Sequence, residues 1–156
     1  MQTELHHEAA TRLAGSGQRY TPTRRRLVEI LATAAKPLSL PDIVRGRRNL
    51  PQSSAYRNLA ELESAGLVRR VASEDGFGRY ELAEELTGHH HHVMCSRCGR
   101  VEDLHVPASF ERQLDRTLDA LARDARFATV RHRLDLIGLC SDCAGAVGSS
   151  RGGPLS

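Results

Sequence analysis

The sequence predicts an α+β chain of two modules: a winged helix over residues 1–83 and, after a hinge at 84–88, a small α/β module over 89–144. This rests on three observations. Helical hydrophobic periods in the first half give way to two short strand-like segments around a turn. Two brackets of one pattern, Cys95-Ser-Arg-Cys98 and Cys140-Ser-Asp-Cys143, enclose most of the second half. Four histidines, His89 to His92, run almost into the first bracket.

Residues 4 to 14 suit a short helix. Thr21-Pro22 reads as an N-cap followed by a first-turn proline, opening a helix to Ala34 with Leu27, Ile30, Leu31 and Ala34 on one face. Lys36-Pro37 stops it. Ser39 caps a helix to about Arg47 with Leu40, Ile43 and Val44 inward, and Asn49-Leu50-Pro51 breaks the chain again. A third helix of this group runs from near Ser53 to Gly66, burying Ala55, Leu59 and Leu62 and leaving Ser54, Tyr56, Arg57, Asn58 and Glu61 outside. Residues 67–71 and 79–82 read as strands joined by the turn-rich Ser73-Glu74-Asp75-Gly76-Phe77-Gly78. Three helices and a β-hairpin make a winged helix.

Charge gives that module a partner. Residues 19 to 70 carry eleven Arg/Lys against four acids, and all but one of the cations are arginine, whose planar fork suits phosphates and guanine edges. Double-stranded DNA is the expected partner, with Ser54, Tyr56 and Arg57 at the start of the last helix aimed at base edges and Arg19 and Arg24 among the supporting cations. The competing reading has Tyr56 packing beside the wing and Arg57 pairing with Glu61 one turn on.

The second half predicts strands at His92-Val93-Met94 and Arg100–Leu104, then a helix opened by Pro107 with an apolar stripe of Phe110, Leu114, Leu118, Leu121 and Ala125. A closing strand places Val130, His132, Leu134 and Leu136 on one face and Arg131, Arg133, Asp135 and Ile137 on the other. This module is too small to stand alone, so a two-fold homodimer through these strands and the helix stripe is expected, letting two heads read a palindrome. The Gly- and Ser-rich tail, 145–156, is expected to be disordered.

Two C-x-x-C pairs far apart are the sequence form of a tetrahedral zinc site, here Cys95, Cys98, Cys140 and Cys143, because thiolates two residues apart in a tight turn can grip one ion. The alternative is two disulfides. The chain starts without a basic segment leading into an apolar one, which favours a cytoplasmic setting and reduced thiols. With 40% hydrophobic and 26% charged residues and no apolar run long enough to span a bilayer, no membrane association is expected.

Taken together, Ser54-Ala55-Tyr56-Arg57-Asn58-Leu59 in a winged helix, the histidine run, Cys95-x-x-Cys98-Gly99 and a terminal C-x-x-C after a strand bearing His132 resemble the Fur family of metal-responsive repressors over about residues 10 to 144. The resemblance implies a homodimer in which a divalent metal stabilises the DNA-binding arrangement and represses uptake or defence genes. It implies structural Zn2+ on the four cysteines, a regulatory metal on Glu81, His90, His92 and Asp103, and a third site on His89, His91, Glu111 and His132, where Glu111 matches across one inserted residue. His90 and His92 share one strand face and His89 and His91 the other.

One departure from the family pattern stands out, and a feature frequent in its zinc-sensing branch is missing. Pro37 occupies the place where many iron-sensing members donate a histidine, leaving the regulatory set at four residues or recruiting His6 or His7, and no cysteine lies in the hinge. Nitrogen and oxygen donors suit Fe2+, Mn2+, Ni2+ or Zn2+ alike. His105 matches no role. Alternatives are an iron-based peroxide sensor using the same residues, a zinc hydrolase with Glu81 as its base, and a histidine run that is merely a solvated patch or a tag.

Overall fold

The computed structural model describes residues 2–128 and 131–148. The first module wraps one apolar cluster. Helix α1 (Gln2–Gly15) contributes Ala9 and Leu13, and α2 (Pro22–Ala32) contributes Leu27, Val28 and Leu31. The Thr21 side chain accepts from the Arg24 backbone N–H, as the capping reading required. The helix ends at Ala32 rather than Ala34: the Thr33 hydroxyl donates to the Glu29 and Ile30 carbonyls, competing with the next backbone donors. Val28, not Ala34, completes its buried face.

Leu38–Ser39 form a two-residue strand, β1, too short to announce itself by periodicity. Ser39 then caps α3 (Leu40–Val44) by accepting from the Asp42 N–H. This helix stops short of Arg47, whose guanidinium instead donates to the Asp42 and Ile43 carbonyls. Helix α4 (Gln52–Ser64) buries Ala55, Leu59 and Leu62 as expected. It closes at Gly66, whose φ of +68° permits the Leu67 N–H to reach the Leu62 carbonyl at 2.9 Å. Strands β2 (Val68–Val71) and β3 (Arg79–Leu82) pair antiparallel, and β1 lies on the other edge of β3. The winged helix stands.

One helical turn, α5 (Glu84–Thr87), occupies the expected hinge, with Leu86 packed on the first core. Beyond it, β4 (His91–Cys95) is the centre of a second sheet, flanked by antiparallel β5 (Val101–Leu104) and parallel β6 (Asp135–Gly138). Helix α6 (Ala108–Asp124) follows Pro107, and α7 (Ser141–Gly148) ends the described chain. Val71 of the wing packs with Met94 and Val101, and Arg79 donates to the Gly99 carbonyl at 2.9 Å, so the modules are in contact.

Two expectations are corrected here. The closing strand covers only Asp135–Gly138, so His132 precedes it; Val130 lies outside the described residues. The expected disordered tail begins as helix, since α7 continues through Gly148, and residues 149–156 lie outside the described residues. No residue of α6 is buried: Phe110 is 46% and Leu121 59% exposed, beside exposed Leu136, Ile137 and Leu139 of the β6 region. Among the described residues no helix is long and apolar enough to cross a membrane.

Candidate metal centres

The fold brings the sequence-selected ligands into three groups, and within each group one donor atom per residue lies within 4.8 Å of all the others. The first is Cys95, Cys98, Cys140 and Cys143, all free thiols. Strand β4 delivers Cys95, the turn after it Cys98, and the segment from β6 into α7 the other two. Cys98 Sγ and Cys140 Sγ stand 3.8 Å apart, the edge of a tetrahedron whose sulfurs lie about 2.3 Å from a central zinc. Backbone N–H groups of Cys140, Cys98 and Arg97 bring the Cys95 thiol down to about 6. Hydrogen bonding with Cys140, followed by burial, pushes Cys143 up to about 12, so four thiolates need a cation among them.

The second group joins the modules. Glu81 is supplied by the wing strand β3, His90 and His92 by β4 and its approach, and Asp103 by β5, opposite His92 in the register. Glu81 Oε2 lies 3.2 Å from His90 Nε2 and 3.1 Å from His92 Nε2. Both rings are turned by their other nitrogen: His90 Nδ1 donates to the Gly88 carbonyl at 3.0 Å, and His92 Nδ1 lies 3.5 Å from Asp135 Oδ1. Those contacts hold each ring with Nε2 turned to the cluster, where it donates to Glu81 here and would give its lone pair to an ion once that proton is lost. Burial works to raise the Glu81 carboxyl, but hydrogen bonds from His92 and Arg69 outweigh it and hold the group at about 2. Burial pulls His90 down, yet the Gly88 carbonyl and Glu81 leave it above its usual value. Asp103 Oδ1 is buried without a hydrogen-bond partner among the described residues, as an oxygen reserved for a cation is. The residues fit a divalent ion.

The third group sits on the opposite face of the histidine run. His89 Nε2 and His132 Nε2 approach Glu111 Oε1 at 3.3 Å and 3.0 Å, and His91 Nε2 approaches Glu111 Oε2 at 2.9 Å. His132 Nδ1 is backed by Asp115 at 3.4 Å, one turn of α6 beyond Glu111. Glu111 Oε1 is buried without a hydrogen bond in the described residues, again the mark of a donor arranged for an ion. His6 joins none of the three groups; its Nδ1 hydrogen-bonds the Tyr20 hydroxyl at 2.7 Å, and its Nε2 faces Glu29 at 3.4 Å. Exposed His7 and His105 lie outside all three groups, and Pro37 is buried where another ligand was conceivable.

Of the residues expected to meet DNA, Tyr56 is 53% exposed, Arg57 and Arg19 are exposed and Ser54 is half-buried. Arg24 is a correction. It is buried at 8%, donating to Asn58 Oδ1, the Arg19 carbonyl and Gln18 Oε1, so it holds α2 to α4 instead of facing a phosphate. Asn58, expected outside, is its partner. Sequence reasoning also missed Arg69, which donates to Glu81 and Glu84, and the backing acids Asp115 and Asp135. Arg69 was legible in principle, since strand pairing sets it opposite Glu81.

The model of the ferric uptake regulator family matches residues 15–137. The chain belongs to the ferric uptake regulator family. This Fur-family chain is 31% identical to the ferric uptake regulation protein of Neisseria meningitidis over 136 residues, 84% of this chain and 90% of that protein. It is 28% identical to the peroxide operon regulator of Bacillus subtilis over 141 residues, 88% and 92% of the two. The Helicobacter pylori ferric uptake regulator Fur, described with three functional metal binding sites, shares the fold at a TM-score of 0.72, with 21% identity and coverage of 92% and 94%.

Proposed function

We propose that this Fur-family protein is a homodimeric, metal-dependent transcriptional repressor that binds a palindromic operator when a divalent metal is held by Glu81, His90, His92 and Asp103. One observation carries the reading: Glu81 belongs to the DNA-binding head, while His90, His92 and Asp103 belong to the second module. A bound divalent cation supplies a shared positive centre for four donors. The residues do the rest. Glu81 fixes the wing strand to β4, His90 and His92 hold their ring orientation through Gly88 and Asp135, and one head orientation is selected from the accessible set, which is how metal affinity becomes DNA affinity.

Structural Zn2+ on Cys95, Cys98, Cys140 and Cys143 ties α7 to the sheet, and the exposed stripe of α6 with Leu136 and Ile137 meets its copy in the dimer. Ser54, Tyr56 and Arg57 read bases, with Arg19 on the backbone. A repressor of this kind works in the cytoplasm, and no catalytic role is assigned. The nitrogen and oxygen donors accept Fe2+, Mn2+, Zn2+ or Ni2+. The test is selection of genomic fragments by the zinc-retaining dimer with each metal added singly. One metal enriching a palindrome is the expected result; no metal-dependent enrichment would remove the switch.

A second reading, peroxide sensing, is favoured by the relative named peroxide operon regulator and by imidazoles beside an oxygen-rich, sulfur-free donor set. Iron-loaded protein exposed to peroxide should then gain oxygen mass on His90 or His92, and an unmodified protein rules this reading out.

A further inference from the structure

The two histidine–carboxylate groups lie on opposite faces of one strand, yet an unbroken chain of ion pairs joins them. Glu81 turns Oε2 toward His90 and His92 and gives Oε1 to Arg69 Nε. The other end of the Arg69 fork, Nη1, holds Glu84 Oε1, and Glu84 Oε2 lies 3.1 Å from His89 Nδ1. His89 Nε2 faces Glu111 and His132. Glu81 thus spends one oxygen on two histidines and Glu84 one oxygen on His89, and each gives its other oxygen to the same guanidinium. Arg69 and Glu81 come from the wing, Glu84 from α5, and His89 from the approach to β4.

We propose that Arg69 and Glu84 are positioning residues that couple the two sites, so that metal at His89, His91, Glu111 and His132 tightens metal binding at Glu81, His90, His92 and Asp103. This rests on the reading of both groups as metal sites. The physical reason is local. A cation on His89 Nε2 makes the Nδ1–H a stronger donor, which draws Glu84 Oε2 onto it and fixes that carboxylate. Glu84 then holds one arm of the Arg69 fork, and the bidentate geometry of guanidinium leaves the other arm aimed at Glu81 Oε1. Glu81 is left with a single orientation, its free oxygen toward His90 and His92, and the cost of ordering it is already met when the second ion arrives. Reciprocity follows: metal at the regulatory set tightens the third site by the same factor. A lysine could not span both carboxylates.

The test is a double-mutant cycle on the full-length, zinc-retaining protein, with free Mn2+ followed by electron paramagnetic resonance. His132→Ala empties the third group and should weaken Mn2+ binding at the remaining site about five-fold or more. In a Glu84→Gln background, which keeps the fold as judged by zinc content and melting temperature, His132→Ala should leave that affinity unchanged, and Arg69→Lys should behave as Glu84→Gln does. Equal weakening by His132→Ala in both backgrounds, or in neither, would overturn the relay while leaving both sites standing. A parent protein that binds no Mn2+ beyond its zinc would overturn the metal-site reading itself and the relay with it.

Discussion

Glu81 Oε2 lies 3.1 Å from His92 Nε2, a buried contact between the last strand of the DNA-binding head and the central strand of the second module. The pairing puts the four proposed regulatory ligands at the boundary between the two modules.

His90→Ala removes one donor of that group and leaves the cysteines untouched. The variant should keep one zinc per chain and remain a dimer, while losing at least the roughly 10- to 100-fold in regulatory-metal affinity that removing even an outer-shell partner costs. Metal analysis with equilibrium titration checks this, and a simultaneous loss of zinc would contradict the division of labour.

Cys98→Ser breaks the four-thiolate group that joins α7 and the β6 end to β4. Zinc binding energy is folding energy in such a site, so the variant should lose zinc and unfold at least its second module. Circular dichroism melting with zinc quantification reads both effects.

Arg24 and Arg57 should separate cleanly. Arg24→Ala leaves Asn58, Gln18 and a carbonyl without their buried donor and should cost about 2 kcal/mol of stability, visible as a lower Tm. Arg57 is exposed, so Arg57→Ala should leave Tm alone and weaken operator binding by about 1–3 kcal/mol with relaxed preference at one base position. Chemical denaturation and operator titration of both variants check the contrast.

Acid should release the head. The Glu81 carboxyl is held down, from 4.5 to about 2, by His92 and Arg69 against the pull of burial. A depressed folded value means its stabilisation is fully present above pH 4.5 and disappears as the pH falls from there toward 2. His90, held above its usual range, adds a second effect with the opposite charge: it must be neutral to ligate, so metal affinity falls with pH as it protonates. Melting curves of metal-free Glu81→Gln across this range should lack the acid step present in the parent.

Much of this was legible in the sequence because spacing encodes it. Alternation along a strand sorted His90 and His92 from His89 and His91, and the cysteine brackets announced their own site. Arg24 shows the limit. It falls at the helical spacing of Leu27, Val28 and Leu31 and so points inward, but its charge argued for the surface, and only the tertiary fold supplies the Asn58 amide that makes burial tolerable. The early ends of α2 and α3 were hidden for a related reason: Thr33 and Arg47 side chains satisfy carbonyls that periodicity cannot see. Arg69 looked like one cation among many, and its role exists only because β2 pairs with β3 in the register that sets it across from Glu81.

The central claim is that the Glu81 group converts metal into DNA affinity. Fluorescence anisotropy of a selected operator, titrated with zinc-retaining protein with and without the regulatory metal, tests it in the parent and in Glu81→Ala. The parent should bind at least about ten-fold more tightly with metal, and Glu81→Ala should give the same weak binding in both conditions. An equal metal response in the two proteins would contradict the account.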